Sequence, residues 1–355
     1  MEALAIEQSK LESLVERVFS DLVGSHGGFV MQVGHRLGLY KAMAGAGPLT
    51  SDEVATRAGC AERYVREWLN SHVAAGYIEY DARTSTYELS PEAAMVLANE
   101  ESPFFMPHAL NLTAAMWAGE ERTLEAFRTG KGVSWGEHDP RVHHGVAAFY
   151  RNGYQASLVS QWLPALDGVV DRLNAGINVA DIGCGYGHST ILMAEAFPKS
   201  RFYGFDVHEG SIEEARRNAF AAGVADRVTF EVARATDYAK RDYGLICFFD
   251  ALHDMGDPVA AVRYAASALA FAGTVMAVEP FAADKLEQNL NPIARLYYAG
   301  STVLCTAHAI SEGGELVLGA QAGEARLGDV FRKGGFTRFR RAAETPFNLI
   351  LEARR

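Results

Sequence analysis

Positive charge is in short supply in this chain: 33 lysines and arginines face 44 acids, a formal net charge of −11. That balance repels phosphate polyanions and anionic lipid, so neither nucleic acid nor a membrane surface is an expected partner. No window approaches about eighteen uninterrupted apolar residues, which excludes a membrane-spanning helix. Cysteine is scarce and scattered. Cys60, Cys184, Cys247 and Cys305 lack both metal-ligand spacing and close pairing, which points to free thiols in a reducing cytoplasm. Near the start, Glu2 and Glu7 stand where a secretory leader needs apolar residues, so none is expected. Low-complexity tracts and internal repeats are missing too. What is present is a globular composition, 49% apolar over 355 residues, enough for a large core and two domains.

Apolar residues at helical spacing open the chain (Leu14, Val15, Val18, Phe19, Leu22). Gly24, Gly27 and Gly28 then predict a break before a second helix through Val30, Val33, Leu37 and Leu39. From Leu49 the pattern becomes a capped helix ending at Gly59, then a helix over 62–75 with Tyr64, Val65, Trp68, Leu69 and Val73 on one face. Tyr77–Tyr80 and Tyr87–Leu89 flank a turn as a β-hairpin, which completes a winged helix. Such modules often bind DNA, but Leu49 to Ser90 holds four arginines, no lysine and seven acids, net −3. A recognition helix needs a basic footprint. The expected role is dimerisation, with these apolar helices packed on a second copy.

The predicted domains are 1–102 (helices and winged helix), 103–167 (a helical linker rich in large apolar groups, placed as a substrate roof) and 168–355. In the last, strands at 177–182, 201–206, 227–232, 245–249, 273–278, 336–342 and 347–353 alternate with helices at 187–197, 209–222, 257–270 and 323–333. That alternation predicts an α/β fold, a doubly wound parallel sheet closed by a terminal hairpin. Residues 282–322 are long for a connection and read as a cap insertion, with a helix at Asn291–Tyr298.

Val179-Ala-Asp-Ile-Gly-Cys-Gly-Tyr-Gly-His188 carries the chemistry. A buried strand runs into Gly183, Gly185 and Gly187, which let backbone approach a ligand closely. Nineteen residues past Gly187, the next strand ends in Asp206, placed to accept from both hydroxyls of a ribose. The dinucleotide fingerprint is broken in two ways. Its sixth position is His188, and Asp181 stands two residues before the first glycine, where a pyrophosphate would meet negative charge. A nucleoside bearing an ammonium and no phosphate fits instead. The segment resembles motif I of class I methyltransferases, and the seven strands with their hairpin resemble the Rossmann-like domain of that family. The N-terminal half resembles the dimerisation module of small-molecule O-methyltransferases and of mycobacterial-type two-domain methyltransferases. The resemblance implies S-adenosylmethionine as cofactor, S-adenosylhomocysteine as product and a homodimer.

Candidate cofactor residues at the strand ends are Asp181, Gly183, Cys184, Gly185, Gly187, Asp206, Val207, Ala235, Thr236 and Phe249. Family members commonly hold an acid near position 234 for the adenine amine; here Arg234 stands there, leaving Asp237 or a backbone carbonyl. Leu252-His-Asp-Met-Gly-Asp257 resembles the catalytic segment of plant-type O-methyltransferases, in which a histidine is the general base. The resemblance makes His253 the base, beside Asp254, with Glu279 and, one residue out of register, Glu324 orienting it. An imidazole titrating at about 6.5 suits removal of a hydroxyl proton. A second reading has His253, Asp254 and His308 hold a metal for C-methylation of an α-keto acid. A third is a winged-helix regulator that senses the cofactor. The cluster His138-Asp-Pro-Arg-Val-His-His144 has ligand types without firm spacing and reads as a polar turn.

Overall fold

The computed structural model describes residues 6–355 and divides into two compact units that meet after Ala114; Glu2, used above against a leader, lies outside the described residues. In the first unit, helix Gln8–Arg36 runs unbroken for 29 residues. The predicted break at Gly24–Gly28 does not occur. Glycine costs a helix about 1 kcal/mol per position without forbidding it, and a further glycine is used for contact: a Cβ on Gly34 would lie 2.4 Å from the Trp68 ring. The helix stops where Gly38 turns left-handed at φ 70°.

Helix Ser51–Ala58 follows, fixed by a capping box: Glu53 N–H donates to Thr50 Oγ1, and Thr50 N–H to Glu53 Oε2. Helix Glu62–Ala74 and the antiparallel pair β1 (Glu79–Asp81) and β2 (Thr86–Glu88) complete the winged helix. On Glu62–Ala74, Arg63 pairs with Glu67 and Arg66 with Glu62, each at 2.6 Å. The arginines a DNA reader would present are neutralised on their own helix.

The second unit is built on a seven-stranded sheet. Its strands are β3 (Asn178–Ile182), β4 (Arg201–Asp206), β5 (Val228–Val232), β6 (Tyr243–Phe249), β7 (Leu269–Pro280), β8 (Arg338–Glu344) and β9 (Asn348–Arg354), in the order β5-β4-β3-β6-β7-β9-β8. Five are parallel; β9 runs antiparallel to β7 and β8. Every residue of β6 is buried, as a central strand covered on both faces requires. Leu245 and Cys247 face one layer with Trp162, Met193 and Ile212, while Ile246 and Phe248 face another with Val262, Leu327 and Phe331. Strand order reverses between β3 and β6, the place where open α/β sheets form a ligand crevice. The 282–322 insertion holds helices Pro292–Val303, capped by Asn291, and Cys305–Ser311. No described helix is long and apolar enough to cross a membrane, and all four cysteines are free thiols.

Candidate active site

The glycine loop joins β3 to helix His188–Ala196, and Gly183, Gly185 and Gly187 all take left-handed φ (75°, 51° and 76°). Gly183 and Cys184 N–H donate to Phe205 O, and Gly185 N–H donates to Asp206 Oδ2 at 2.9 Å, so the loop is laced to β4. The glycines differ in what surrounds them. A Cβ on Gly187 would sit 2.5 Å from the Phe230 ring, whereas one on Gly185 would enter open space. Gly187→Ala is therefore expected to cost about 2 kcal/mol or more, from clash and left-handed strain together. Gly185→Ala should cost only about 1 kcal/mol and obstruct the ligand instead. Urea unfolding midpoints of the two variants check the contrast.

A cavity of about 310 Å³ opens at the strand-order reversal. Of the predicted cofactor residues, Gly183, Cys184, Gly185, Asp206, Val207, Ala235, Thr236 and Phe249 line it, and so does Asp254. Asp206 accepts from Gly185 N–H with one oxygen and from His208 N–H with the other, both at 2.9 Å. Two lone-pair sites remain for a ligand. Burial raises its pKa, against the pull of those two amides. Arg234 lines the cavity, but Asp237 does not: its Oδ1 accepts from Arg234 N–H at 2.8 Å and closes a turn.

Asp181 and Gly187 lie behind the wall. Asp181 is fully buried; its Oδ2 accepts from Ser189 at 2.7 Å and Thr190 at 2.6 Å, while its Oδ1 has no partner. Burial pushes its pKa up to about 6. The carboxylate supports the start of helix His188–Ala196 and does not face the crevice as the sequence suggested.

His253 and Glu279 also sit behind the wall, 3% and 1% exposed. Glu279 Oε1 accepts from Leu252 N–H at 3.0 Å, and Oε2 lies 2.6 Å from His253 Nδ1. On its other side the imidazole shares a hydrogen bond with Cys305. Burial alone would lower the His253 pKa; the Glu279 charge, the neighbouring Cys305 and the hydrogen bonds to both together outweigh it and hold the imidazole well above its ordinary value. Glu324 takes no part. It begins helix Gly323–Lys333 and pairs with Arg341, which also holds Glu344. The one-residue register error placed it on the outer face, toward the edge strand β8.

Of the residues of the metal reading, Asp254 and His308 are on the cavity wall and His253 is not. Among the described residues no group of three or more His, Cys, Asp or Glu is arranged to hold a metal ion. In the 138–144 cluster, His143 stacks on His208 with centroids 4.3 Å apart and an angle of 8°. Burial first, then neighbouring charges, lowers the pKa of both His138 and His143 to about 4.

Sequence reasoning missed part of the wall. Helix Arg141–Ser157 contributes His143, Tyr150 and Tyr154, and β6 is followed by Asp250. Asp250 takes φ 50°, and its oxygens accept from Tyr154 OH at 2.9 Å and Asn348 Nδ2 at 2.8 Å. Its place at the carboxyl end of a central strand was the available signal.

Residues 26–99 match the family described as the Rv2258c-like winged HTH domain, and residues 173–335 match a methyltransferase domain family. Among curated relatives, the 27-O-demethylrifamycin SV methyltransferase of Amycolatopsis mediterranei (strain S699) is 33% identical over 149 residues, 41% of this chain. The match spans about half of that relative's length, 52%. The mitomycin 7-O-methyltransferase MmcR shares the fold with a TM-score of 0.73 at 18% identity, over 98% of this chain and 100% of that one. Human N-acetylserotonin methyltransferase, solved in complex with SAM, gives 0.67 at 16% identity over 99% of each chain.

Proposed function

We propose that this chain, a two-domain class I methyltransferase with an Rv2258c-like winged helix ahead of its catalytic domain, binds S-adenosylmethionine and methylates a hydroxyl of a small aromatic or apolar acceptor. The observation that carries this is the charge of the cavity wall. Asp206, Asp250, Asp254, Asp257 and Glu312 line it, with Arg234 as its one lysine or arginine among the described residues. A wall of that sign attracts a cationic ligand and repels a diphosphate. Solved relatives of this fold bound to SAM add support.

Strand order sets the ligand's direction. Ala235 and Thr236, after β5, would hold the adenine, and Asp206, after β4, would accept from the ribose hydroxyls. Phe249 and Asp250, after β6, would face the sulfonium. Neighbouring strands are about 4.8 Å apart, so β4 to β6 spans about 10 Å, the reach from ribose to the amino-acid tail. When bound, the cofactor supplies an electrophilic methyl whose leaving group is a neutral thioether, so no acid is required.

The chain's own task is to align the acceptor and take its proton. His253 Nε2 is the nitrogen left to receive that proton, while Glu279 holds the Nδ1 hydrogen. His253→Ala is expected to cut transfer of tritiated methyl to a panel of phenols by about 10²–10⁴-fold, with S-adenosylhomocysteine affinity unchanged. A wild-type panel with no labelled product, or an alanine variant of full activity, contradicts the reading. The base works only when neutral, and Glu279 raises its pKa. Turnover should therefore climb with pH above neutrality, and Glu279→Gln should move that limb to lower pH.

The chain acts as a homodimer through helix Gln8–Arg36, whose apolar side chains from Leu11 to Val23 stand exposed.

A further inference from the structure

Resting on the cofactor reading above, we infer that Asp250, boxed by Tyr150, Tyr154 and Phe249, is a charge-selective clamp that holds the sulfonium and releases the thioether formed from it. These four residues line one end of the cavity. Tyr154 and Tyr150 rings lie 6.0 Å apart at 11°, and Tyr154 and Phe249 centroids are 5.4 Å apart. Aromatic faces grouped around a carboxylate form the standard physical receptor for a soft organic cation.

The backbone commits Asp250 to that position. Its left-handed φ of 50° costs a non-glycine residue roughly 1 kcal/mol, and its N–H donates to Val278 O at 2.7 Å, tying the turn to β7. Both oxygens are held by neutral donors, Tyr154 OH and Asn348 Nδ2. Arg234, the one lysine or arginine on the described wall, follows β5, three places from β6 in the sheet, so the charge is left for the ligand. Burial and the nearby Glu279 raise the Asp250 pKa, with His253 opposing; a cation in the box supplies what this carboxyl lacks. Once the methyl has left, sulfur is neutral and the attraction is gone. Product then leaves from a site that no longer favours it.

The probes are S-adenosylhomocysteine, neutral at sulfur, and sinefungin, in which a protonated amine-bearing carbon replaces the sulfonium. Calorimetry on the full chain is expected to show sinefungin binding at least about tenfold more tightly. In Asp250→Asn that ratio should fall below about threefold while S-adenosylhomocysteine binds as before. An unchanged ratio in the variant overturns the clamp, and so does a wild-type ratio near one, which decides the matter even if the variant does not fold. Failure of S-adenosylhomocysteine to bind at all would instead remove the cofactor reading, and the clamp with it.

Discussion

Asp206→Ala is expected to weaken S-adenosylhomocysteine binding by about 100-fold, read by titration calorimetry. Each hydrogen bond to an ionised carboxylate contributes about 1.5–3 kcal/mol, and a ribose offers two. The same side chain accepts from Gly185 N–H and His208 N–H, so alanine also frees the glycine loop. Asp206→Asn keeps the shape and one acceptor oxygen, and should lose only about tenfold. Acidity gives a parallel test. Burial has raised the Asp206 pKa above 3.8, and protonation would replace an acceptor with a donor. Affinity should fall as pH drops through that raised pKa in the wild type and stay flat in the alanine variant. A loss under about threefold in Asp206→Ala would mean that the ribose is not held here.

The second large effect concerns assembly. Leu11, Leu14, Val15, Val18, Phe19, Leu22 and Val23 are each between 42% and 65% exposed on helix Gln8–Arg36. In that helix only Gln32 and Gly34 are buried. Seven large apolar groups along one segment form a larger patch than a monomer ordinarily exposes. Burying a side chain of this kind contributes about 1.5–3 kcal/mol. Wild-type protein should sediment at twice the 38.5 kDa chain mass. The triple variant Leu14→Asp, Phe19→Asp, Leu22→Asp should raise the dissociation constant at least about 1,000-fold and run as a monomer. Because this face contributes nothing to the described cavity, S-adenosylhomocysteine affinity should not change. A monomeric wild type would refute the dimer.

The sheet was legible because its central strands are short, mostly apolar runs, Tyr243–Phe249 above all, and the glycine loop because positive φ leaves few alternatives. The wing was legible for similar reasons, its hairpin falling between Tyr77 and Leu89. Other features depend on packing that local sequence does not carry. Helix Gln8–Arg36 survives four glycines because a helix can absorb a modest local cost. Asp181 faces inward because Ser189 and Thr190, in the first turn of the helix beyond the glycine loop, claim its carboxylate. Glu324 turned outward because one residue of slip rotates a helical side chain by about 100°. Asp250 is held by Tyr154 and Asn348, 96 and 98 residues away in the chain, and no spacing rule joins them.

At the centre of the account is a crevice whose sign selects a cationic nucleoside over a diphosphate. Titrating S-adenosylmethionine and NADH separately into the purified chain tests this directly. Saturable heat is expected with S-adenosylmethionine and none with NADH. Tighter binding of NADH, or silence from both, would contradict it.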